Sequence, residues 1–170
     1  SPDVVHVHDW HTALAPLLLR TRYAWDRARF GSTRTVLTIH NMAYQGGFPA
    51  AAVGDLGLRE WASLLHQEQL ARGAFSFLTT GLLHADAITA VSETNAREIM
   101  TPEHGFGLDG LVRARATSLV GIVNGIDAAE WDPASDAHIA ARYSARDLSG
   151  KARCRAALVA ELGLAPDPRA

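Results

Sequence analysis

The sequence predicts an α/β domain built on a doubly wound, mostly parallel sheet. Three observations carry that prediction. Short apolar runs recur at Val4-Val5-His6-Val7, Val36-Leu37-Thr38-Ile39, Ala87-Ile88-Thr89-Ala90-Val91 and Leu119-Val120-Gly121-Ile122-Val123, as buried parallel strands require. Helical patterns fall between them, which is the alternation of βαβ units with right-handed crossovers. Each run also ends by delivering polar side chains: His8, Asp9 and His11, then His40 and Asn41, then Ser92, then Asn124. In a parallel sheet these ends share one edge, and open α/β sheets bind ligands there.

Taken in order, Trp10 to Tyr23 repeats Leu14, Leu17, Leu18 and Thr21 at helical spacing, with Pro16 close enough to the first turn to be tolerated. A helix starting at the His-Asp-Trp-His cluster would add the positive end of its dipole to the site. The arginines 20, 22, 27, 29 and 34 that follow read as a solvated helix end and turn. Asn41 to Pro49 is too rich in Gly, Asn and Pro for regular structure and forms a strand-end loop, a favoured place for binding residues. Residues 60–71 and 74–85 read as helices. Ser92 is placed to cap a helix from Glu93 to about Met100 that Pro102 stops. A short helix is expected over Leu108 to Ala116, and a longer one over Ser149 to Leu162, closed by Gly163 and followed by Pro166 and Pro168.

Composition narrows the function. At 170 residues, 48% hydrophobic, 20% charged and net charge −2, the chain reads as one ordinary globular domain, without the basic excess that nucleic acid or anionic membrane attracts. Apolar stretches stop well short of the ~20 residues that span a bilayer, and the reading is of a cytoplasmic protein. Cys154 is the only cysteine, so no internal disulfide can form, and its place among Lys151, Arg153 and Arg155 on an expected helix reads as incidental. The chain enters a strand almost at once from Ser1-Pro2-Asp3 and closes in linker-like residues, so it is expected to be part of a longer protein.

Two readings compete for the strand-end cluster. His6-Val7-His8-Asp9-Trp10-His11 comes within one position of the His-x-His-x-Asp-His cluster of binuclear metal hydrolases. The Asp follows the second His directly, however, and His66, His84, His104 and His138 lie in no ligand spacing. Sugar or phosphate binding suits neutral imidazole, carboxylate and amide groups better. Gly105-Phe106-Gly107-Leu108-Asp109-Gly110 matches a dinucleotide pattern but follows a helix end instead of a strand, so it reads as a turn. Asn124-Gly125-Ile126-Asp127 is explicable as a tight turn with Gly125 at positive φ, and its functional reading rests on lying at the shared edge.

Together the motifs resemble the bacterial glycogen synthase and plant starch synthase family. The matching segments are Pro2-Asp3-Val4-Val5-His6-Val7-His8-Asp9-Trp10-His11, Thr38-Ile39-His40-Asn41-Met42-Ala43-Tyr44-Gln45-Gly46 and Ala85-Asp86-Ala87-Ile88-Thr89-Ala90-Val91-Ser92. Gly105 to Leu111, Val123-Asn124-Gly125-Ile126-Asp127 and Trp131-Asp132-Pro133 continue in the family's order. The resemblance implies a Rossmann-like, two-domain (GT-B) retaining glucosyltransferase. Residues 1–149 would be part of its amino-terminal domain, and 150–170 a helix and linker toward the second.

It further implies transfer of glucose from ADP-glucose to the non-reducing end of an α-1,4-glucan, with no cofactor or catalytic metal. Asp9 and His40 correspond to catalytic positions, Asn124 to an amide that binds the sugar, and Tyr44, Gln45 and Trp10 to residues shaping the glucose and glucan surface. A glycosyl transition state gathers positive charge on the sugar and negative charge on the leaving phosphate, so carboxylate and carbonyl oxygens belong near the first and cations near the second. The family's Lys-x-Gly-Gly-Leu loop and the cationic residues of its second domain have no counterpart in these residues, which are therefore expected to be inactive alone. A non-catalytic glucan-binding module of the same fold is the remaining alternative.

Overall fold

The computed structural model describes residues 2–165, in two compact units divided between Asn124 and Gly125. The strands are β1 (Val4–His8), β2 (Arg34–Ile39), β3 (Gly47–Pro49), β4 (Ala74–Ser76), β5 (Ala87–Ala90) and β6 (Leu119–Gly121). The α-helices are α1 (Asp9–Thr12), α2 (Ala15–Arg20), α3 (Arg27–Phe30), α4 (Ala52–Asp55), α5 (Gln67–Ala71), α6 (Phe77–His84), α7 (Glu93–Glu98), α8 (Asp109–Ala114) and α9 (Ser149–Glu161).

The four predicted strands form one parallel sheet in the order β1-β2-β5-β6. Its register sets Val7 beside Leu37, Ile39 beside Ala90, and Ala90 beside Gly121. Because every strand runs the same way, their carboxyl ends lie along a single edge. The strands are added in one direction among the described residues, and α6 packs against α1, α2 and α8 on the covered face. There Val7, Leu37, Ile39, Ile88 and Ala90 meet Leu78, Leu82, Ile99, Leu108 and Val112 in a buried core. On the opposite face of β1, Val4, His6 and His8 are exposed, so this strand alternates with the period of two expected when only one side is covered.

Several elements depart from the sequence reading, each for a local reason. The expected helix over residues 10–23 is broken into α1 and α2, because Pro16 has no N–H to offer the carbonyl of Thr12 and sits in the first turn of α2. The dipole at the cluster is thus that of a single turn. The 60–71 helix is a 3₁₀ segment, Arg59–Leu64, followed by α5, and His66 Nδ1 caps α5 by accepting from the Gln69 N–H at 3.4 Å. The 74–85 helix starts only at Phe77. Ala74–Ser76 pairs instead with Gly47–Pro49 as an antiparallel ribbon, and Ser76 caps α6 by accepting from the Thr79 N–H. The arginine-rich turn contains α3, capped by Asp26.

Other expectations hold. Ser92 Oγ accepts from the Asn95 N–H at 2.9 Å and α7 begins there, α8 occupies the predicted stretch, and α9 ends at Gly163 with φ +62°. Pro166 and Pro168 lie outside the described residues. The fourth strand stops at Gly121 instead of Val123.

Two charged groups tie neighbouring elements together. The Arg115 guanidinium donates to the carbonyls of Leu82, Leu83 (3.2 Å) and Ala85 (2.6 Å), satisfying the orphan acceptors at the end of α6. Asp86 accepts from the Thr35 N–H and O–H, both at 2.8 Å, and pairs with Arg20 at 2.7 Å and Arg34 at 3.4 Å. Partial burial raises the Asp86 pKa, but the Thr35 donors and the two arginines outweigh it and hold the carboxyl below its ordinary value. The folded state therefore binds this proton less readily than the unfolded chain. The stabilisation is complete above the free carboxyl value of about 3.9 and is lost as pH falls through the lower folded value. Denaturant midpoints should accordingly differ between the parent and Asp86→Asn by a constant amount near neutrality, a difference that shrinks below about pH 4.

The second unit is built from turns and α9. Asp127 accepts from the N–H groups of Ala129 and Glu130, which hold its carboxyl below the usual range, and Asp132 and Asp136 make similar turns. Cys154 donates to the Ala141 carbonyl at 3.0 Å, which gives the lone thiol a structural partner. Gly150 is buried because its Cα faces the Arg142 carbonyl, where a side chain would not fit.

Candidate functional site

At the carboxyl edge, the end of β1 is stapled to the end of β2. Asp9 Oδ1 accepts from the backbone N–H of His40 at 2.8 Å and of Asn41 at 3.3 Å. To reach them Asp9 adopts φ +50°, the left-handed region that a non-glycine residue enters at a cost. His8 immediately before it closes on Thr12, whose Oγ1 accepts from the His8 N–H (2.8 Å) and donates to the His8 carbonyl (2.9 Å).

The histidines of both strands also meet through their side chains. His8 Nδ1 lies 3.0 Å from His40 Nε2, and the His6 and His8 rings stack with centroids 4.4 Å apart. His6 Nε2 in turn bonds Thr38 Oγ1, which bonds Thr89 Oγ1, each at 2.6 Å, so a polar string runs across β1, β2 and β5, from the exposed His6 to the buried Thr38 and half-buried Thr89. Burial, with the imidazoles of His8 and His40 nearby, pushes His6 below the ordinary histidine value.

The loop after His40 is internally braced. Asn41 Oδ1 accepts from the Ala43 N–H at 3.0 Å, an Asx turn. The Gln45 carbonyl accepts from the Ser76 hydroxyl (2.9 Å) and the Leu78 N–H (3.1 Å), while its Nε2 donates to the Phe106 carbonyl at 3.0 Å. Trp10 lies beneath this loop against Phe77 and Phe48, with His11 stacked on it at 4.1 Å. Gly46, at φ +59°, is pressed so closely on the Trp10 ring that no Cβ fits there. Tyr44 stands out from the loop, 66% exposed.

The structure thus gathers Asp9, His8, His40, Asn41, Trp10, His11, Tyr44 and Gln45 around one strand-end loop. Asn124 stands apart from them. It is exposed and follows β6 by three residues, and β6 is two strand spacings, about 10 Å, from β2. Gly125 is not among the positive-φ residues, so the tight-turn reading of Asn124-Gly125-Ile126-Asp127 is corrected: no left-handed glycine is needed. Ser92 is spent on capping α7.

Sequence reasoning missed the Gln45–Phe106 link. It carries the Gly105–Gly110 turn, with Phe106 at φ +49° and Gly107 at +82°, to the loop after His40 across 61 residues. Among the described residues no three His, Cys, Asp or Glu side chains stand where they could share a metal ion, so the hydrolase alternative built on His6, His8, Asp9 and His11 lacks its ligand set. His11 is turned against Trp10 and His6 against Thr38.

A four-stranded parallel sheet with helices between its strands and a braced loop and polar cluster at its carboxyl edge defines an α/β domain of the Rossmann-like class. The sequence profile of the starch synthase catalytic domain matches residues 1–114. The glycogen synthase of Anaeromyxobacter sp. (strain Fw109-5) is 54% identical over 167 residues, covering 98% of this chain and 35% of that protein. That of Leptothrix cholodnii is 54% identical over 168 residues, covering 99% and 34%. Among solved structures, the catalytic domain of starch synthase IV from Arabidopsis thaliana bound to ADP and acarbose superposes with a TM-score of 0.79 at 33% identity, over 97% of this chain and 34% of that one. The chain belongs to the glycogen and starch synthase family, and it spans about a third of the length of these relatives.

Proposed function

We propose that this chain forms the sugar-facing part of a retaining glucosyltransferase that moves glucose from ADP-glucose to the non-reducing end of an α-1,4-glucan. The observation that supports this reading most is the Asp9–His40 staple: a carboxylate, an imidazole and a strand-end carbonyl held together at the ligand edge of the sheet. Oxygen-rich groups there suit the positive charge that develops on a departing glucosyl ring. The Arabidopsis starch synthase structure, which carries ADP and acarbose, supports the choice of a nucleotide diphosphate donor and a glucan-like acceptor.

In this reading Asp9 places negative charge near the reaction centre, and the His40 carbonyl and imidazole lie beside the donor glucose. Asn124 meets the same sugar from the segment that follows β6. Tyr44 offers an exposed ring to the glucan, while Trp10 and Gln45 serve by supporting the loop from beneath and from the side. Cations that neutralise the leaving diphosphate come from residues beyond this chain, as does the second domain toward which residues 150–170 lead. The cytoplasm, or the plastid in a plant, is the compartment this reading assigns.

Incorporation of label from ADP-glucose into glycogen is the test. A polypeptide containing this chain together with the lysine loop and second domain is expected to extend the glucan with retention, and the 170 residues alone to show no turnover. Absence of transfer from both ADP- and UDP-glucose by the longer polypeptide would overturn the proposal, and turnover by the 170 residues alone would overturn the division of the site.

A further inference from the structure

His8 lies outside the set of residues to which the resemblance assigns a role, yet its geometry gives it one. Its Nδ1 stands 3.0 Å from His40 Nε2, and among the described residues the His40 ring has no other hydrogen-bond partner. A neutral imidazole carries a single N–H, so this contact needs one ring to donate and the other to accept. The tautomers of the two rings are therefore coupled, and whichever nitrogen of His8 holds its proton sets the complementary choice in His40. If His8 donates from Nδ1, His40 accepts at Nε2 and presents an N–H at Nδ1; if His40 donates, Nδ1 is left as an acceptor.

Three features hold His8 in place for this task. Its backbone is closed on Thr12 through two bonds, its ring is stacked on His6, and His6 is anchored through Thr38 to Thr89. On the other side, the Asp9 staple on the backbone N–H groups of His40 and Asn41 sets where the His40 ring begins. The titratable groups against the pair are His6 on the His8 ring and the Asp9 carboxylate on the His40 backbone.

We infer that His8 is a positioning residue for His40: it fixes the tautomer and the ring orientation in which His40 meets the donor glucose. This inference rests on the proposed glucosyl transfer for its catalytic consequence and on the imidazole pair alone for its structural one, so two measurements separate them. Nitrogen chemical shifts of labelled histidines in the polypeptide that carries this chain report the tautomer directly. His40 is expected to hold one tautomer in the parent and to average over two in His8→Leu, which fills the same space without a polar atom. His8→Gln moves its amide one bond too far and is expected to behave like His8→Leu, whereas His8→Asn places a polar atom where Nδ1 stood and should restore the single tautomer.

In transfer assays His8→Leu should lower kcat about tenfold, the worth of one hydrogen bond in the transition state, with KM for the donor within about twofold, and His8→Asn should recover most of the loss. An unchanged His40 tautomer in His8→Leu and His8→Gln overturns the inference, as does a change confined to KM. A parent polypeptide that transfers no glucose overturns the functional reading instead, while the tautomer measurement still decides the role of His8 toward His40.

Discussion

In the longer polypeptide that carries the lysine loop and the second domain, replacing Asp9 by Asn is expected to leave the fold intact and, on the proposed function, to cut glucosyl transfer by about a hundredfold, ~2.7 kcal/mol of transition-state stabilisation. The two halves of that expectation have separate origins. Asn keeps an oxygen that can accept from the N–H groups of His40 and Asn41, and it tolerates the φ of +50° that position 9 requires, so the staple between β1 and β2 survives. What is lost is the negative charge. Thermal midpoints should agree within a degree or two, while kcat falls and KM for the donor changes little, as expected for an interaction made chiefly in the transition state.

Comparison with Asp9→Ala and Asp9→Gly sharpens the assignment. Alanine loses both hydrogen bonds and must still adopt a left-handed backbone, at a cost of about 1–2 kcal/mol. Glycine also loses the bonds but enters the left-handed region without strain, so Asp9→Gly should be the more stable of the two. Both release the loop that carries His40 and Tyr44, and both should raise KM as well as lower kcat. Full transfer by Asp9→Asn would reduce Asp9 to a clamp on the loop, and the charge required by the reaction would have to come from elsewhere.

The parts of this architecture that were legible in the sequence are those set by neighbours in the chain. Apolar runs marked all four strands of the parallel sheet, Ser92 marked the start of α7, and Gly163 marked the end of α9. The gathering of Asp9 and His40 at one edge followed once the strands were taken as parallel. The features that stayed hidden depend on pairing across long stretches of chain. Ala74–Ser76 becomes a strand only because Gly47–Pro49 is there to receive it, and Gln45 finds Phe106 across 61 residues. The His8–His40 contact requires the register that sets Val7 beside Leu37, which no periodicity specifies. The break at Pro16 was legible in principle, since the missing N–H is a property of the residue itself, but the apolar spacing on both sides favoured one continuous helix.

The segment Gly121-Ile122-Val123-Asn124-Gly125 holds two glycines that look interchangeable in the sequence, and they are expected to respond to alanine in opposite ways. At Gly121 a Cβ would fall far inside contact distance of the Ser92 carbonyl and of the Glu93 N and Cα, which are backbone atoms of the turn that starts α7. A rotamer change cannot relieve such a clash, so either α7 or β6 must move. Gly121→Ala should therefore destabilise the protein by about 3 kcal/mol, at the upper end of overpacking costs, and lower its thermal midpoint by many degrees. Around Gly125 nothing lies within 4 Å of the added methyl group and the backbone is not left-handed. Gly125→Ala should be neutral or stabilising by about 0.5 kcal/mol, because it restricts the unfolded chain without straining the folded one. Function should divide the same way. On the proposed function, in which Asn124 reaches the sugar addressed by Asp9 and His40, displacing β6 carries Asn124 away from it, so transfer by the longer polypeptide should be lost in Gly121→Ala even at temperatures where that variant stays folded. Normal activity in a folded Gly121→Ala protein would show that β6 does not set the position of Asn124 at the site.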